Sequence, residues 1–223
     1  MSKRIEIGGI GLDNYTVREA IEQIDGYWDA AGMKTIETIS MELLVMAGED
    51  ERLRQSLGEL DLAMIHDVEI LRAAGITSPQ RIRETEEHQF LGEFMKYLVE
   101  GSRTVYLVGD TVEQTDALKE FLQEYYERLK VVGSQALEAC NWDVDSLVNE
   151  INTMSPDVVF SVLPTPRQEY FLMDNRSRMS AGIWCGLGQN YASGSGRHSV
   201  KGLLLRLRHR GMLHRMLDKK EQK

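Results

Sequence analysis

The stretch VVFSVLPTPRQE, residues 158–169, joins a strand candidate to a short turn with two prolines and the start of a helix. Both this strand candidate, Val158–Leu163, and the run VYLV at residues 105–108 are almost wholly apolar. Strands of that kind are buried on both faces, which is typical of a parallel sheet covered by helices on both sides. The stretch therefore predicts an α/β protein.

The same alternation of strand and helix runs along most of the chain. A capping box, Thr16-Val-Arg-Glu19, predicts a helix that continues to about Ala31. The alternation predicts a mostly parallel, Rossmann-like sheet flanked by helices. The predicted strands are Ile5–Ile10, Thr35–Met41, Leu60–Ile65, Thr104–Val108, Lys130–Val132, Val158–Leu163 and Gly182–Gly186. The other predicted helices are Glu49–Leu57, Asp67–Ala74, His88–Glu100, Thr111–Arg128, Asp143–Asn152 and Pro166–Met179.

Ligands of such sheets bind beyond the carboxyl ends of the strands. This rule limits the search for functional residues to a few segments that follow strands. They are Ser40–Glu42, His66–Asp67, Gly109–Thr111, Pro164–Glu169 and Gly186–Gly196. The last segment is rich in glycine but lacks the P-loop pattern, so a flexible connector is as good an interpretation as a ligand-binding loop.

The C-terminal stretch Arg197–Lys223 is basic, whereas the rest of the chain is acidic. It carries nine Lys or Arg and two Asp or Glu, a net charge of +7. Because the whole chain carries −9, residues 1–196 carry −16. This segregation predicts an anionic partner. We therefore expect an α/β domain over residues 1–196 and a basic, amphipathic helical appendage over residues 197–223.

Apolar residues recur in the appendage with the spacing of a helix face. Such a helix can lie in a lipid interface, or dock on the body with its arginines over a phosphate site. A plain C-terminal helix packed on an acidic domain is the alternative. Nucleic acid is disfavoured, because the body would repel a duplex and no aromatic platform is present. The apolar positions are Val200, Leu203, Leu204 and Leu207, and the pattern resumes at Leu213.

Cysteine usage and the lack of long apolar runs predict a cytoplasmic location. Cys140 and Cys185 lie far apart, without the spacing of a metal site or a redox motif. The first residues lack the apolar region of a signal peptide, and no run approaches the roughly 18 apolar residues of a spanning helix. Any membrane contact is therefore expected to be peripheral. The histidines also lack metal spacing, so no metal site is predicted.

The segment Pro164–Glu169 offers polar groups at a strand end. Pro166 suits the first helical turn, so we expect backbone N–H groups near Arg167 and Gln168 to point into the crevice. Arg167 adds a cation, and the amide of Gln168 suits the edge of a base or a sugar. Together with Thr165, these residues are candidates for substrate binding. An ordinary helix start with solvated side chains is the alternative.

His66 and Asp67 follow the third predicted strand. A histidine beside a carboxylate can act as a general base near neutral pH, and these two residues are the catalytic candidates. The alternative is that Asp67 merely begins the next helix. The polar run Arg81–His88 is predicted to be a solvated, charged loop, and a loop that reaches over the crevice is the alternative.

Four segments, taken in order, resemble the WecG/TagA/CpsF glycosyltransferases, the N-acetylmannosaminyltransferase family. P-R-Q-E at residues 166–169 is the most specific match, because the family reads P-[KR]-Q-E there. The similarity spans nearly the whole chain and identifies it as a diverged member. The segments are GIGLDNYTVREAIEQI at 9–24, ELLVMAGEDERLRQSLGELDLAMI at 42–65, TVYLVGDTVEQTDALKEFLQEYYERLKVVG at 104–133 and PDVVFSVLPTPRQEYFLMDNRSRM at 156–179.

The resemblance implies transfer of an N-acetylhexosamine, such as N-acetylmannosamine, from a UDP-sugar to a polyprenyl-diphosphate-linked sugar. This reaction belongs to cell-surface polysaccharide or teichoic acid synthesis at the inner face of the bacterial membrane. Family members invert the anomeric centre without a metal or other cofactor. Their C-terminal segment closes over the active site and touches the membrane, so Arg206, Arg210 and Arg215 are expected to meet the leaving diphosphate.

The chemistry-bearing motifs depart from the family pattern. The segment Thr38–Glu42, T-I-S-M-E, corresponds to the family motif T-P-N-P-E. Ser40 therefore stands where the family has a substrate-binding Asn. The family motif P-D-G contains the proposed catalytic Asp, and the corresponding residues of this chain are Ile65-His66-Asp67. His66 thus stands at the position of that Asp, and Asp67 follows it. Two further motifs, T-G-x-D within Arg83–Glu87 and G-G-x-F-D at Gly188–Ala192, have lost their pattern.

Two functional hypotheses follow. In the first, the chain is an active inverting glycosyltransferase in which His66, helped by Asp67, deprotonates the acceptor hydroxyl while Arg167 and Gln168 hold the nucleotide sugar. In the second, the chain is a catalytically inactive homologue that binds a nucleotide sugar or a partner protein without turnover. The sequence does not determine the oligomeric state, and a homo-oligomer is one of the open alternatives.

Overall fold

The computed structural model describes residues 3–187. They form a single eight-stranded sheet with helices on both faces, which confirms the predicted fold class. The expected appendage 197–223 lies outside the described residues, so the domain boundary stays a prediction. The strands are β1 (Arg4–Ile7), β2 (Ile10–Asp13), β3 (Lys34–Ile39), β4 (Leu62–Ile65), β5 (Thr104–Gly109), β6 (Lys130–Ala136), β7 (Val158–Ser161) and β8 (Ile183–Gly186).

Nine α-helices connect the strands within the described residues. Several begin at a side-chain cap, and the predicted box at Thr16 is complete: Thr16 Oγ1 accepts from the Glu19 N–H while Glu19 accepts from the Thr16 N–H. The helices are α1 (Val17–Asp25), α2 (Met41–Glu49), α3 (Glu51–Gly58), α4 (Val68–Ala73), α5 (Pro79–Glu86), α6 (Gln89–Glu100), α7 (Val112–Tyr125), α8 (Val144–Met154) and α9 (Arg167–Asn175).

The sheet has the strand order β1-β2-β4-β3-β8-β7-β5-β6. Only the edge pair of β1 and β2 is antiparallel, and the remaining neighbours are parallel. The strands β3 and β8 meet in the middle, with Lys34 opposite Ile183 and Glu37 opposite Gly186. This pairing joins the two halves of the chain, so strand ends that are distant in sequence share one edge of the sheet.

Alternate residues along the strands enter two separate apolar cores. On β5, Val105 and Leu107 belong to one core and Tyr106 and Val108 to the other. The first core packs under α1, α6 and α7, and the second packs under α2, α3, α4, α8 and α9. A strand with apolar residues on both faces needs helices on both sides, which is why the apolar runs in the sequence predicted this architecture.

The N-terminal strand prediction is wrong in one respect. The candidate Ile5–Ile10 is two strands, β1 and β2, connected by the two-residue turn Gly8-Gly9. Both glycines have positive φ, +59° and +82°, which is the backbone that a tight hairpin turn requires. The Gly-Gly pair was the signal for this hairpin.

The prediction of a solvated loop at Arg81–His88 is also wrong, because most of this run belongs to α5. Ser78 caps the helix and Pro79 occupies its first turn. Arg81 and Glu84 are buried, and Arg81 Nη1 lies 3.3 Å from Glu84 Oε2. The same Glu84 oxygen accepts from the Val17 N–H at 3.0 Å, so the pair ties α5 to the first turn of α1.

A helix was also missed at Met41–Glu49, directly after β3. The sequence ELLVMAG is apolar on most sides, and its sharp cap at Ser40 went unrecognised. Within residues 3–187, no helix is both long and apolar enough to cross a bilayer.

We expect Glu84→Ala to destabilise the protein by about 3–5 kcal/mol, since it leaves the buried Arg81 guanidinium without its counter-charge. Glu86→Ala is the matched control, because Glu86 lies on the exposed side of the same helix and its loss should cost less than about 1 kcal/mol. Urea unfolding followed by circular dichroism measures both variants. Equal losses in the two variants would show that the buried pair is not important.

Candidate functional site

The carboxyl ends of the central strands bring four predicted segments to one edge of the sheet. Ser40 follows β3, His66 follows β4 and Asp110 follows β5. Thr165 and the start of α9 follow β7. This edge is where a ligand of a parallel sheet is expected to bind.

A groove runs along α9 at this edge. Its volume is about 870 Å³, within the range of small-molecule sites. Thr165 and Arg167 line it at the start of α9, and Leu137 and Phe171 provide apolar surface. The groove therefore combines an apolar floor with polar groups at a strand end.

Arg167 is fixed at the mouth of this groove by two contacts. Its guanidinium forms an ion pair with Asp110 and lies over the ring of Trp142, 4.9 Å from the centroid. Trp142 is half exposed, and its backbone is in the left-handed region at φ +63°. An exposed indole beside a cation is suited to stacking against a base or a sugar ring while the cation meets a phosphate.

Gln168 lies on the opposite side of α9, buried against the sheet rather than in the groove. Its Nε2 donates to Glu37 Oε1 at 2.8 Å. Its backbone N–H donates to the Pro164 carbonyl at 3.1 Å, so the expectation that this N–H points into the crevice is wrong. The tight turn before α9 turned that group inward.

Glu37 and Glu169 are two buried carboxyl groups beside Gln168. The pKa of Glu37 is raised well above its ordinary value, first because burial disfavours the charge and then because Glu169 carries the same charge and is hydrogen-bonded to it. Thr165 Oγ1 donates to Glu169 Oε1 at 3.0 Å. We call Glu37, Gln168 and Glu169 the carboxyl cluster.

Gly186 makes room for this cluster. It lies opposite Glu37 in the sheet, and a Cβ at this position would come within 2.5 Å of Gln168 Nε2 and 3.3 Å of Glu37 Cδ. Only glycine leaves the space that the Gln168 amide occupies.

Ser40 and Asp67 both serve the beginning of α2. Ser40 Oγ accepts from the Leu43 N–H at 3.1 Å, and Asp67 Oδ2 accepts from the Met41 N–H at 2.7 Å. The Asp67 carboxylate is favourably placed there, because the first turn of a helix attracts negative charge. Its side chain is 22% exposed, so it remains accessible from the strand edge.

His66 is buried behind Asp67. Only 3% of its side chain is exposed, and its Nε2 lies 3.9 Å from Asp67 Oδ1. The ring stacks on His88 at 4.4 Å. It also lines a cavity of about 30 Å³ with Thr38 and Arg81, which is too small for a sugar ring.

The structure thus brings the predicted site residues together in two groups. Thr165 and Gln168 meet through the carboxyl cluster, with Arg167 on the adjacent groove. Ser40 and Asp67 lie at the start of α2, and His66 lies next to Asp67 on the side of α6. Their binding and catalytic roles stay predictions. Arg206, Arg210 and Arg215, and the glycine-rich loop beyond residue 187, lie outside the described residues.

The sequence reasoning missed three residues of this edge. Glu37 had a signal, because a carboxylate inside an otherwise apolar strand is costly unless it is paired or protonated. Asp110 lies within the predicted segment Gly109–Thr111, so the strand-end rule was its signal. Trp142 had none, because it lies on the loop after β6 and meets Arg167 only in the folded chain.

No group of three His, Cys, Asp or Glu side chains in residues 3–187 is arranged to hold a metal ion. The expected lack of a metal or cofactor nevertheless stays a prediction.

The fold and the edge define a Rossmann-like α/β protein with a groove for a ligand beyond its strand ends. The chain belongs to the Glycosyl transferase WecG/TagA/CpsF family, whose sequence profile matches residues 5–220. Similar proteins include N-acetylglucosaminyldiphosphoundecaprenol N-acetyl-beta-D-mannosaminyltransferases from Staphylococcus aureus strains NCTC 8325 / PS 47 and COL. Each is 19% identical over 192 residues, which are 83% of this chain and 73% of the relative.

We expect Gly186→Ala to destabilise the protein by about 1–3 kcal/mol, because the new Cβ would displace Gln168 from the carboxyl cluster. Gly48→Ala is the control: it lies in α2 with open space around it, so a helix-favouring alanine should be neutral or stabilising by up to about 1 kcal/mol. Thermal unfolding distinguishes them. If Gly186→Ala unfolds at the same temperature as the parent chain, the packing described here is incorrect.

Proposed function

We propose that the chain is an inverting glycosyltransferase that moves an N-acetylhexosamine from a nucleotide sugar to a polyprenyl-diphosphate-linked sugar. The observation that carries the proposal is the groove at the end of β7, where Arg167 and Trp142 lie together at the start of α9. Family membership and the names of the staphylococcal relatives support it. Those names describe a mannosaminyl donor group and an undecaprenol-linked acceptor, and we infer the same classes here.

The groove suits the donor. Trp142 offers a face for the base or the sugar, and Arg167 offers a cation for the diphosphate. Because Arg167 is already paired with Asp110, an incoming phosphate would compete with that carboxylate for the guanidinium. We infer that Asp110 keeps Arg167 oriented before the donor arrives.

We propose that Asp67 and His66 act together as the base, with Asp67 nearer to the acceptor because it is the more exposed of the two. The acceptor hydroxyl attacks the anomeric carbon as the bond from that carbon to the diphosphate oxygen breaks. The hydroxyl proton passes to the Asp67 carboxylate, and the diphosphate leaves with the bonding electrons. His66 Nε2 lies 3.9 Å from Asp67 Oδ1, where the imidazole can polarise the Asp67 carboxylate or accept the proton from it.

We expect Asp67→Asn and His66→Ala each to reduce turnover by about 10²–10⁴-fold, because general-base catalysis contributes that much. Asp67→Asn keeps an acceptor for the Met41 N–H, so its fold should be intact. Glu69→Gln on the exposed face of α4 is the matched control and should keep full activity. Transfer of a radiolabelled N-acetylhexosamine to a synthetic polyprenyl-diphosphate sugar measures all three. Full activity in both site variants would remove these residues from the mechanism.

An inactive, nucleotide-sugar-binding homologue is the second candidate function. The observation that favours it is the burial of His66 at the position where the family has its catalytic Asp. Calorimetry with UDP and UDP-N-acetylhexosamines separates the two candidates when it is run beside the transfer assay. Binding without transfer across donors and acceptors supports the inactive homologue, whereas transfer eliminates it.

The basic stretch 197–223 is proposed to bring the enzyme to the inner face of the cytoplasmic membrane and to neutralise the leaving diphosphate. Its charge of +7 supports both tasks, because each cation near an anionic surface contributes about 1 kcal/mol. Peripheral association also agrees with an acceptor that is anchored in lipid.

We expect the triple substitution of Arg206, Arg210 and Arg215 by glutamine to weaken binding to phosphatidylglycerol vesicles by roughly 100-fold. The matched control replaces three exposed arginines of the body, Arg18, Arg72 and Arg83, and should bind almost normally. Vesicle sedimentation at two salt concentrations measures the change, and transfer should fall with binding only in the first variant. Equal binding by both variants would show that these three arginines do not bring the protein to the membrane.

A further inference from the structure

The carboxyl cluster is buried where the middle of the sheet meets the first turn of α9. Glu37 is 2% exposed, and Gln168 and Glu169 are fully buried. Glu37 lies on β3 between β4 and β8, the two strands that flank it in the sheet. Gln168 and Glu169 come from the first turn of α9. The cluster therefore connects the middle of the sheet to the start of the helix that borders the groove.

The hydrogen bonds of the cluster require a proton. Gln168 Nε2 donates to Glu37 Oε1, so that oxygen is an acceptor. Glu169 Oε2 is buried and receives no hydrogen bond from any other side chain, and two ionised carboxylates cannot bond to each other, so a proton shared with the neighbouring Glu37 carboxyl group supplies the missing bond. A neutral Glu37 accepts from Gln168 with one oxygen and donates to Glu169 with the other.

We propose that Glu37 is a positioning residue that fixes the first turn of α9 and, through it, the donor groove. The proposal rests on the proposed function for the identity of the ligand. Glu37 does not contact the groove itself; it acts through Gln168 and Glu169.

The path from Glu37 to the groove is short. Glu169 Oε1 accepts from Thr165 Oγ1, and Thr165 lines the groove. Arg167 lies on the helix directly before Gln168, so a shift of this turn moves its guanidinium relative to Asp110 and Trp142. The backbone carbonyl of Glu169 also accepts from Ser56 Oγ at 3.2 Å, which holds the turn from the side of α3.

On balance, the surroundings of Glu37 favour its neutral form. Glu169 of α9 contributes a like charge. Cys185 of β8 is a buried thiol, and its pKa is raised first by burial and then by Glu37. The Gln168 amide lowers the pKa of Glu37, but burial and Glu169 outweigh it.

The test compares Glu37→Gln with Glu37→Leu in the full chain. Glutamine has the shape and hydrogen bonds of a neutral glutamate, since its carbonyl accepts from Gln168 and its amide donates to Glu169. Leucine fills a similar volume but removes the acceptor of the Gln168 amide and the proton for the second oxygen of Glu169. We expect Glu37→Gln to keep the KM for the donor within about 2-fold, and Glu37→Leu to raise it about 10-fold or more with a smaller effect on kcat. Loss of donor affinity in both variants, or in neither, overturns the proposal.

Stability against pH gives a readout that does not depend on catalysis. Because the pKa of Glu37 is raised on folding, the folded protein keeps a proton that the unfolded chain releases above the ordinary value of 4.5. The free energy of unfolding of the parent chain should therefore fall, relative to Glu37→Gln, as pH rises from 4.5 to the pKa of folded Glu37. A difference between the two proteins that does not change with pH contradicts a neutral Glu37.

The two measurements keep this proposal separate from the proposed function. If the parent chain neither binds UDP in calorimetry nor transfers sugar, the proposed function fails, and the stability comparison still decides whether Glu37 is neutral. If the parent chain binds UDP but Glu37→Leu binds it equally well at a temperature where both are folded, the positioning role alone fails. Ser180→Ala, on the loop before β8, is the control variant, and it should match the parent chain in UDP binding and in stability at each pH.

Discussion

The pairing of β3 with β8 is the interaction on which the rest of the structure depends. Four residue pairs, from Lys34 opposite Ile183 to Glu37 opposite Gly186, join the two halves of the chain. Without this pairing, the ends of β3 and β4 would not lie beside the end of β7. The groove, the carboxyl cluster and the start of α2 share one edge because β3 and β8 run parallel.

The pair of Glu37 and Gly186 places the buried carboxyl cluster at this junction, which lowers the stability of the fold. Burying two carboxyl groups is unfavourable, and protonation removes only part of that cost because the neutral groups still need hydrogen-bond partners. The cluster meets that need through Gln168 and Thr165. The two apolar cores supply the stabilisation that offsets it. A polar cluster retained under such a cost at a ligand edge agrees with a role in holding the site.

The two catalytic candidates, His66 and Asp67, lie on opposite faces of the sheet, because successive side chains along a strand alternate between the faces. Met64 and Ile65 enter opposite cores, and the alternation continues into the two residues that follow β4. His66 therefore faces the side of α6, where it stacks on His88, while Asp67 faces α2. The two side chains approach only at the strand edge. The carboxylate of Asp67 therefore lies on the more open side, while the imidazole of His66 is buried.

The sequence by itself determined the α/β class, the mostly parallel sheet and the edge that carries the site, because apolar runs and capping residues act locally. It also identified the family through P-R-Q-E. Only the tertiary structure decided that α5 is a helix with a buried Arg81–Glu84 pair, that Gln168 faces inward, and that Trp142 and Asp110 hold Arg167. The Arg81–Glu84 contact is local, but its burial against α1, the inward position of Gln168 and the contacts of Arg167 depend on residues far apart in the chain. Burial and partner choice arise when the strands pair, and no local pattern encodes them.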